Sequence, residues 1–286
     1  MAEPTIELRA GLSAENLASI AALEQATVAA DGGRLKLEWG VLNSRDAAVT
    51  NDVLCLVDGR LVGFLGLYGF GHEQVELAGM VDPGYRRRGI GSALLAAALP
   101  LIAERGYASA LLVCSHLPAS AEFARVHGGI HDHAEHAMLL SGPPADGPSN
   151  ASVSMRAATL DDVAVIAGLL ESGFGYPATN IANELNEARA ENLVIELDGA
   201  PIGYVRLTLD DDRGGVYGFV VDPAHQGRGI GRDVLRRCCQ HLTAKGATEV
   251  GLEVAVDNER AVGLYTSIGF ERVTTEEYFR LPSSLA

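Results

Sequence analysis

The chain has 286 residues, of which 48% are hydrophobic and 21% charged, and its net charge is −15. That length suits two domains with buried cores and excludes a disordered chain. The acidic balance disfavours a groove for nucleic acid, no apolar run is long enough to cross a bilayer, and the first ten residues lack a secretory pattern, so a cytoplasmic protein with neither nucleic-acid nor membrane partners is expected.

In chain order, Arg9-Ala10-Gly11-Leu12 opens a pattern that returns as Arg156-Ala157-Ala158-Thr159-Leu160. Leu61-Val62-Gly63-Phe64 follows an Asp58-Gly59 turn and recurs 140 residues later as Pro201-Ile202-Gly203-Tyr204 after Asp198-Gly199. The same offset carries Val81-Asp82-Pro83 and a run ending in Gly89-Ile90-Gly91 onto Val221-Asp222-Pro223 and a run ending in Gly229-Ile230-Gly231. An ungapped repeat of this kind predicts two domains of one fold. The segment 142–152, rich in Gly, Pro, Ser and Asn, reads as their linker, giving domains at 1–141 and 153–286.

Each copy reads as strand, helix, strand pair, a further strand, glycine-rich loop, helix, strand, helix and closing strand. In the second copy the strands are expected at 154–156, 193–197, 202–209, 216–221, 250–256 and 277–281. Residues 210–215 form a turn, and helices are expected at 161–170, 230–242 and 258–266. Ile230, Val234, Cys238 and Leu242 fall on one helical face. The cysteines Cys55, Cys114, Cys238 and Cys239 lack metal-ligand spacing and read as small buried hydrophobes. His131, His133 and His136, with Asp132 and Glu135, read as an edge loop, with no metal expected.

The loop carries the chemistry. Gly227, Gly229 and Gly231 let main chain approach a ligand closely, and the loop opens a helix N-terminus whose free N–H groups suit phosphate. The spacing is neither the dinucleotide fingerprint nor a Walker loop, so another diphosphate is implied.

Gln226-x-x-Gly229-x-Gly231 and Arg86-x-x-Gly89-x-Gly91 resemble the acetyl-CoA signature of the GNAT superfamily of N-acetyltransferases. The Asn258, Ala261, Tyr265 and Gly269-Phe270 pattern is similar to that superfamily's second hallmark. The resemblance covers nearly the whole chain, twice, and implies an α/β fold of two tandem domains, each a splayed mixed sheet flanked by helices. It implies acetyl-CoA as acyl-donor substrate, held in the second copy by Phe219, Val220, Val221, Gln226, Gly227, Arg228, Gly229, Ile230, Gly231, Arg232 and Asn258. In the first copy Met80, Val81, Arg86, Arg87, Arg88, Gly89, Ile90 and Gly91 correspond.

It further implies direct transfer to a primary amine of a small molecule or peptide. A backbone N–H from Phe219 to Val221 would stabilise the oxyanion, and Tyr265 would serve the thiolate as proton donor. The alternative for Tyr265 is a core tyrosine, and for Asn258 a helix cap. Relatives place a basic Glu where this chain has Gly215. Tyr217, two residues on and on the same strand face, is the candidate to order a water there, against simple strand packing. At the offset of 140, Tyr265 maps to Arg125 and Asn258 to Pro118, while Glu76 lies beside Val75, the mapped base position. The second copy is therefore expected to be catalytic and the first degenerate.

The tandem arrangement resembles the mycothiol synthase family, which acetylates a cysteinyl pseudodisaccharide, although the Glu of its Gly-Glu-Val-Tyr motif is here Gly215. A non-catalytic acetyl-CoA-binding regulatory protein is the other reading. The chain is expected to be a monomer or homodimer.

Overall fold

The computed structural model describes residues 3–69, 74–107, 109–175 and 180–282. The chain forms two compact units, unit 1 from Met1–Ala134 with Thr274–Ala286, and unit 2 from Glu135–Val273.

Unit 1 begins with β1 (Thr5–Ala10), then α1 (Ala14–Asp31), whose first turn is closed by Ser13 and Asn16 exchanging side-chain to main-chain hydrogen bonds at 3.1 and 3.2 Å. A short α2 (Trp39–Asn43), which the sequence pattern did not suggest, leads into the meander β2 (Thr50–Val57), β3 (Arg60–Tyr68) and β4 (Gln74–Val81). Then come α3 (Ile90–Glu104), β5 (Ser109–Cys114), α4 (Pro118–Val126) and β6 (Ile130–Ser141). Unit 2 continues with β7 (Val153–Ala157), α5 (Val163–Phe174), a second unanticipated short helix α6 (Ile181–Leu185), β8 (Ala190–Leu197), β9 (Ala200–Asp210) and β10 (Arg213–Val221). The chain closes with α7 (Ile230–Ala244), β11 (Glu249–Ala255), α8 (Glu259–Ile268) and β12 (Glu271–Pro282), the last of which lies mostly in unit 1.

In unit 1 the strand order is β1-β2-β3-β4-β5-β12, antiparallel throughout except the parallel pair β4–β5. In unit 2 it is β7-β8-β9-β10-β11-β6, with β10–β11 parallel. The closing strand of each sheet therefore comes from the other half of the sequence. Residues 135–141 of β6 pair with β11, and residues 277–282 of β12 pair with β5. The repeat ends each copy with its own strand, whereas the compact units exchange them.

In both sheets the parallel pair parts company early. β4 pairs with β5 only from Gln74 to Leu77, and β10 with β11 only from Arg213 to Gly215. Beyond those points the strands splay and leave a wedge. Residues 213–215, expected as turn, belong to β10 because both neighbouring strands bond them, and the reversal is confined to Asp211 and Asp212, with Asp211 at φ 53°. His131, His133 and His136 likewise lie in β6 rather than in a loop. Here His133 stacks on Tyr278 with ring centroids 4.2 Å apart, and His131 meets Phe279 edge-on.

The helix faces are as their spacing requires. Ile230, Val234, Cys238 and Leu242 are buried in the core of unit 2, and all four cysteines are buried and free. The segment 142–152 is pinned along α7. The Arg236 guanidinium, 5% exposed, donates to the carbonyls of Ala145, Gly147 and Pro148 at 3.0 to 3.2 Å, and the Asp233 carboxylate accepts from the Asn150 N–H. Among the described residues no helix is long and apolar enough to cross a membrane.

Close strand approach depends on glycine in both sheets, at Gly79 of β4 and Gly203 of β9. A Cβ on Gly203 of β9 would lie 2.4 Å from the Val220 carbonyl oxygen of β10. Gly203→Ala is expected to destabilise unit 2 by about 1–3 kcal/mol, because backbone on both strands must move. A lowered denaturation midpoint at unchanged slope checks it.

Candidate active site

The two wedges open onto glycine loops of nearly identical construction. In unit 2, Asp222 Oδ1 accepts the Ala224 N–H at 2.8 Å, which tightens a short 3-10 turn, and Gln226 Nε2 donates back to the Val221 carbonyl at 2.7 Å. In unit 1, Asp82 Oδ1 accepts from Gly84 at 2.8 Å and Arg86 Nε donates to the Val81 carbonyl at 3.1 Å. The first motif residue, Gln or Arg, thus ties the loop to the end of the preceding strand. Arg86 also grips Asp31 with both terminal nitrogens, at 2.8 and 2.5 Å, which raises the guanidinium's pKa further.

Gly229 (φ 80°) and Gly89 (φ 82°) are the left-handed residues immediately before α7 and α3. Gly227 is also left-handed, and its counterpart Arg87 takes φ 61°, a conformation that costs a residue with a Cβ on the order of 1–2 kcal/mol. With each loop folded this way, the N–H groups of the first helical turn have no intrahelical acceptor and face the exposed loop. A Cβ on Gly229 or Gly89 would meet no atom within 4 Å, so the space before each helix end is open. That concave, donor-rich end fits a diphosphate.

In unit 2, α8 comes down beside this loop. Arg260 donates to Gln226 Oε1 at 2.7 Å, and Arg232 donates to Ser267 Oγ at 2.9 Å. Arg228 folds back on the Ala224 carbonyl at 3.2 Å, as Arg88 does on Gly84 at 2.9 Å. At Gly231 a Cβ would meet Leu264, Phe219 and Val221 at 3.5 to 4.0 Å, so loop, strand end and α8 converge there. Asn258 caps α8, its Oδ1 accepting the Ala261 N–H at 3.1 Å. Tyr265 is 8% exposed in the core that also holds Val254 and Phe270, with ring centroids 6.1 Å from Phe270. Among the described residues its hydroxyl has no hydrogen-bond partner, and burial pushes the phenol up to about 12.

The two units differ at one backbone feature. In β10 the register against β9 shifts, with Tyr217 opposite Arg206 but Val220 opposite Tyr204, so Gly218 and Phe219 face the single residue Val205. Gly218 takes φ 56° to make this bulge. In unit 1, β3 and β4 run in unbroken register from Gly63–Val81 to Tyr68–Glu76. A bulge removes main-chain groups from the ladder, here at Gly218 and Phe219, beyond the point where β10 and β11 part.

The bulge also corrects the equivalence of the copies. Tyr68 and Thr208 correspond, and they pair with Glu76 and Gly215 respectively. Glu76, not Val75, therefore occupies the strand position of Gly215. The ungapped offset misses this by the one residue that the bulge inserts.

Gly215 is empty of side chain for a visible reason. A Cβ there would come 2.5 Å from Tyr217 Cε2 and 2.6 Å from Thr208 Oγ1, since the Tyr217 ring lies across it. Tyr217 is 41% exposed, with the Arg206 guanidinium 5.9 Å from its ring centroid, and Arg206 is in turn ion-paired with Glu187. Glu184 on α6 stands near Arg206, and burial holds its carboxyl above the usual range. The short helix carrying it lacks a full amphipathic period, so nothing in the sequence pointed to it.

In unit 1 the wedge and loop border a cleft of about 680 Å³, whose lining includes Arg86, Gly89 and Gly91 of the loop as well as Lys36, Ala78 and Met80. Among the described residues no cluster of His, Cys, Asp and Glu has metal-binding geometry.

The sequence profile of the acetyltransferase (GNAT) family matches residues 18–128 and again 167–270. The chain belongs to this family. It is similar to mycothiol acetyltransferase of Kineococcus radiotolerans, 30% identical with 90% of each chain covered. It is also similar to that of Geodermatophilus obscurus, 31% identical with 94% of this chain and 95% of the relative covered. Among solved structures it resembles a GCN5-related N-acetyltransferase from Sphaerobacter thermophilus, with TM-score 0.79 at 21% identity, covering 97% of this chain and 96% of that one. A tandem GNAT protein from the clavulanic acid biosynthesis pathway gives TM-score 0.71 at 21% identity, covering 99% and 100%. The mixed sheets flanked by helices are thus those of tandem GNAT proteins, and the protein is an acyltransferase of a family that uses acetyl-CoA as donor.

Proposed function

We propose that unit 2 transfers acetyl from acetyl-CoA to a primary amine of a small molecule or peptide, by direct attack, and that the bulge at Gly218 and Phe219 is what suits unit 2 rather than unit 1 to the chemistry. The loop N–H groups from Gly227 to Arg232 hold the diphosphate, with Gln226 and Arg260 bracing the loop from below. The thioester then lies in the wedge between β10 and β11. A main-chain N–H at or just after the bulge, among Phe219 to Val221, donates to the carbonyl oxygen as it becomes an oxyanion.

The amine attacks the carbonyl carbon, the C–S bond breaks, and the buried Tyr265 hydroxyl donates to the departing thiolate. Asn258 orients α8 through its cap. Tyr217, laid over Gly215, orders the water through which the amine's proton leaves to bulk.

One observation favours a particular acceptor. The relatives that match over 90% or more of this chain at about 30% identity are mycothiol acetyltransferases, which supports the cysteinyl amine of a pseudodisaccharide as acceptor. The replacement of a carboxylate by Gly215 with Tyr217 over it supports a different amine. Thiol release from acetyl-CoA is to be measured across a panel holding the cysteinyl pseudodisaccharide, amino sugars, polyamines, aminoglycosides and peptide N-termini. Turnover with one class is the expected result. Cofactor binding with no turnover for any of them overturns the reading in favour of an acetyl-CoA-binding regulatory protein.

A further inference from the structure

We propose that Lys36 is an internal acyl acceptor, so that unit 1 acetylates itself. The proposal rests on the reading that the unit 1 loop holds acetyl-CoA.

The chain carries 22 basic residues, yet only Lys36 and Lys245 are lysine. Lys36 lines the cleft that the loop of α3 opens into, together with Ala78 and Met80 from the splayed end of β4. Its side chain is 7% exposed, and its Nζ is 3.1 Å from a Glu76 carboxylate oxygen and 2.6 Å from the Tyr278 hydroxyl, which it meets as donor. Strand register places Glu76 where Gly215 stands in unit 2, the position at which the resemblance puts a base. The ammonium of Lys36 therefore sits beside a carboxylate where an external amine would have to lie. Glu76, Ala78 and Met80 alternate onto one face of β4, so the carboxylate paired with Lys36 lies on the face whose Ala78 and Met80 line the cleft.

The step balances without further reagents. Glu76 takes one proton from the ammonium, and the free amine attacks the thioester carbonyl carbon. The C–S bond breaks as the N–C bond becomes an amide. The thiolate takes the second proton from nitrogen, and Glu76 returns the first to solvent. The products are N-acetyl-lysine and coenzyme A. Unit 1 lacks the bulge, so the reaction is slow and is driven by holding amine and thioester together.

The full-length protein is to be incubated with acetyl-CoA and mapped by peptide mass spectrometry, with Lys245 as internal standard. Lys245 is 46% exposed at its side chain and caps the C-terminal end of α7, the end opposite the unit 2 loop. Acetylation of Lys36 at least about tenfold ahead of Lys245 is expected. It should persist in Gly229→Glu, slow in Glu76→Gln and vanish in Gly89→Glu. Calorimetry on the Gly229→Glu protein separates the two claims. If acetyl-CoA binds there and Lys36 stays unmodified, or is modified no faster than Lys245, self-acetylation is overturned while the cofactor site stands. If acetyl-CoA does not bind, the unit 1 site fails and the proposal falls with it.

Discussion

Replacing Tyr265 by phenylalanine is expected to lower kcat by about 100-fold or more, the usual contribution of a positioned proton donor, with little change in KM for acetyl-CoA. The ring keeps its packing against Phe270 and the rest of the core, so the loss isolates the hydroxyl. Burial holds that phenol at about 12, well above the roughly 8.5 of a thiol, so complete proton transfer to the thiolate runs uphill by about 1.4 kcal/mol per pH unit of mismatch. In the proposed mechanism Tyr265 would therefore be a hydrogen-bond donor to the developing thiolate, with solvent completing the protonation. The sign for pH follows. A raised pKa keeps the phenol protonated throughout the neutral range, so kcat should show no falling alkaline limb below about pH 10. A variant within roughly threefold of the parent enzyme would make Tyr265 a packing residue only.

Gly229→Glu is expected to weaken acetyl-CoA binding in unit 2 by about 100-fold to 1,000-fold and to abolish turnover with it. The position is left-handed at φ 80° and its Cβ would point into open space before α7. A carboxylate there stands within about 4 Å of the expected diphosphate, where like charges repel by about 4 kcal/mol near a protein surface. Gly229→Ala separates the causes, because it carries only the left-handed penalty of about 1–2 kcal/mol. In calorimetry the glutamate variant should reduce two binding sites to one, and two sites of unaltered affinity would place the diphosphate elsewhere.

What the amino-acid order disclosed was whatever repeats locally. The glycine loops and the spacing-four face of α7 each depend on residues within one turn or one loop, and each stands in the structure where its pattern put it, while Asn258 takes the helix-cap role given as its alternative. The bulge at Gly218 was not legible, because a single extra residue in a strand is visible only against the partner strand that fails to match it. The same inserted residue displaced the comparison of the copies and hid that Glu76 stands where Gly215 does. Lys36 escaped notice for a related reason. It lies outside any regular element, and its neighbours Glu76 and Tyr278 are 40 and 242 positions away along the chain.

Arg34 and Lys36 reach their partners Glu276 and Tyr278 only because the final strand folds back into the first unit. Residues 276–282 thus help build the earlier cleft, while residues 135–141 complete the later sheet. Severing the polypeptide at 142–152 would strip each sheet of a border strand and bare the hydrogen-bonding edge of β5 or of β11, an invitation to sticky, misassembled fragments. Each sheet is thus complete only when both halves of the chain are present.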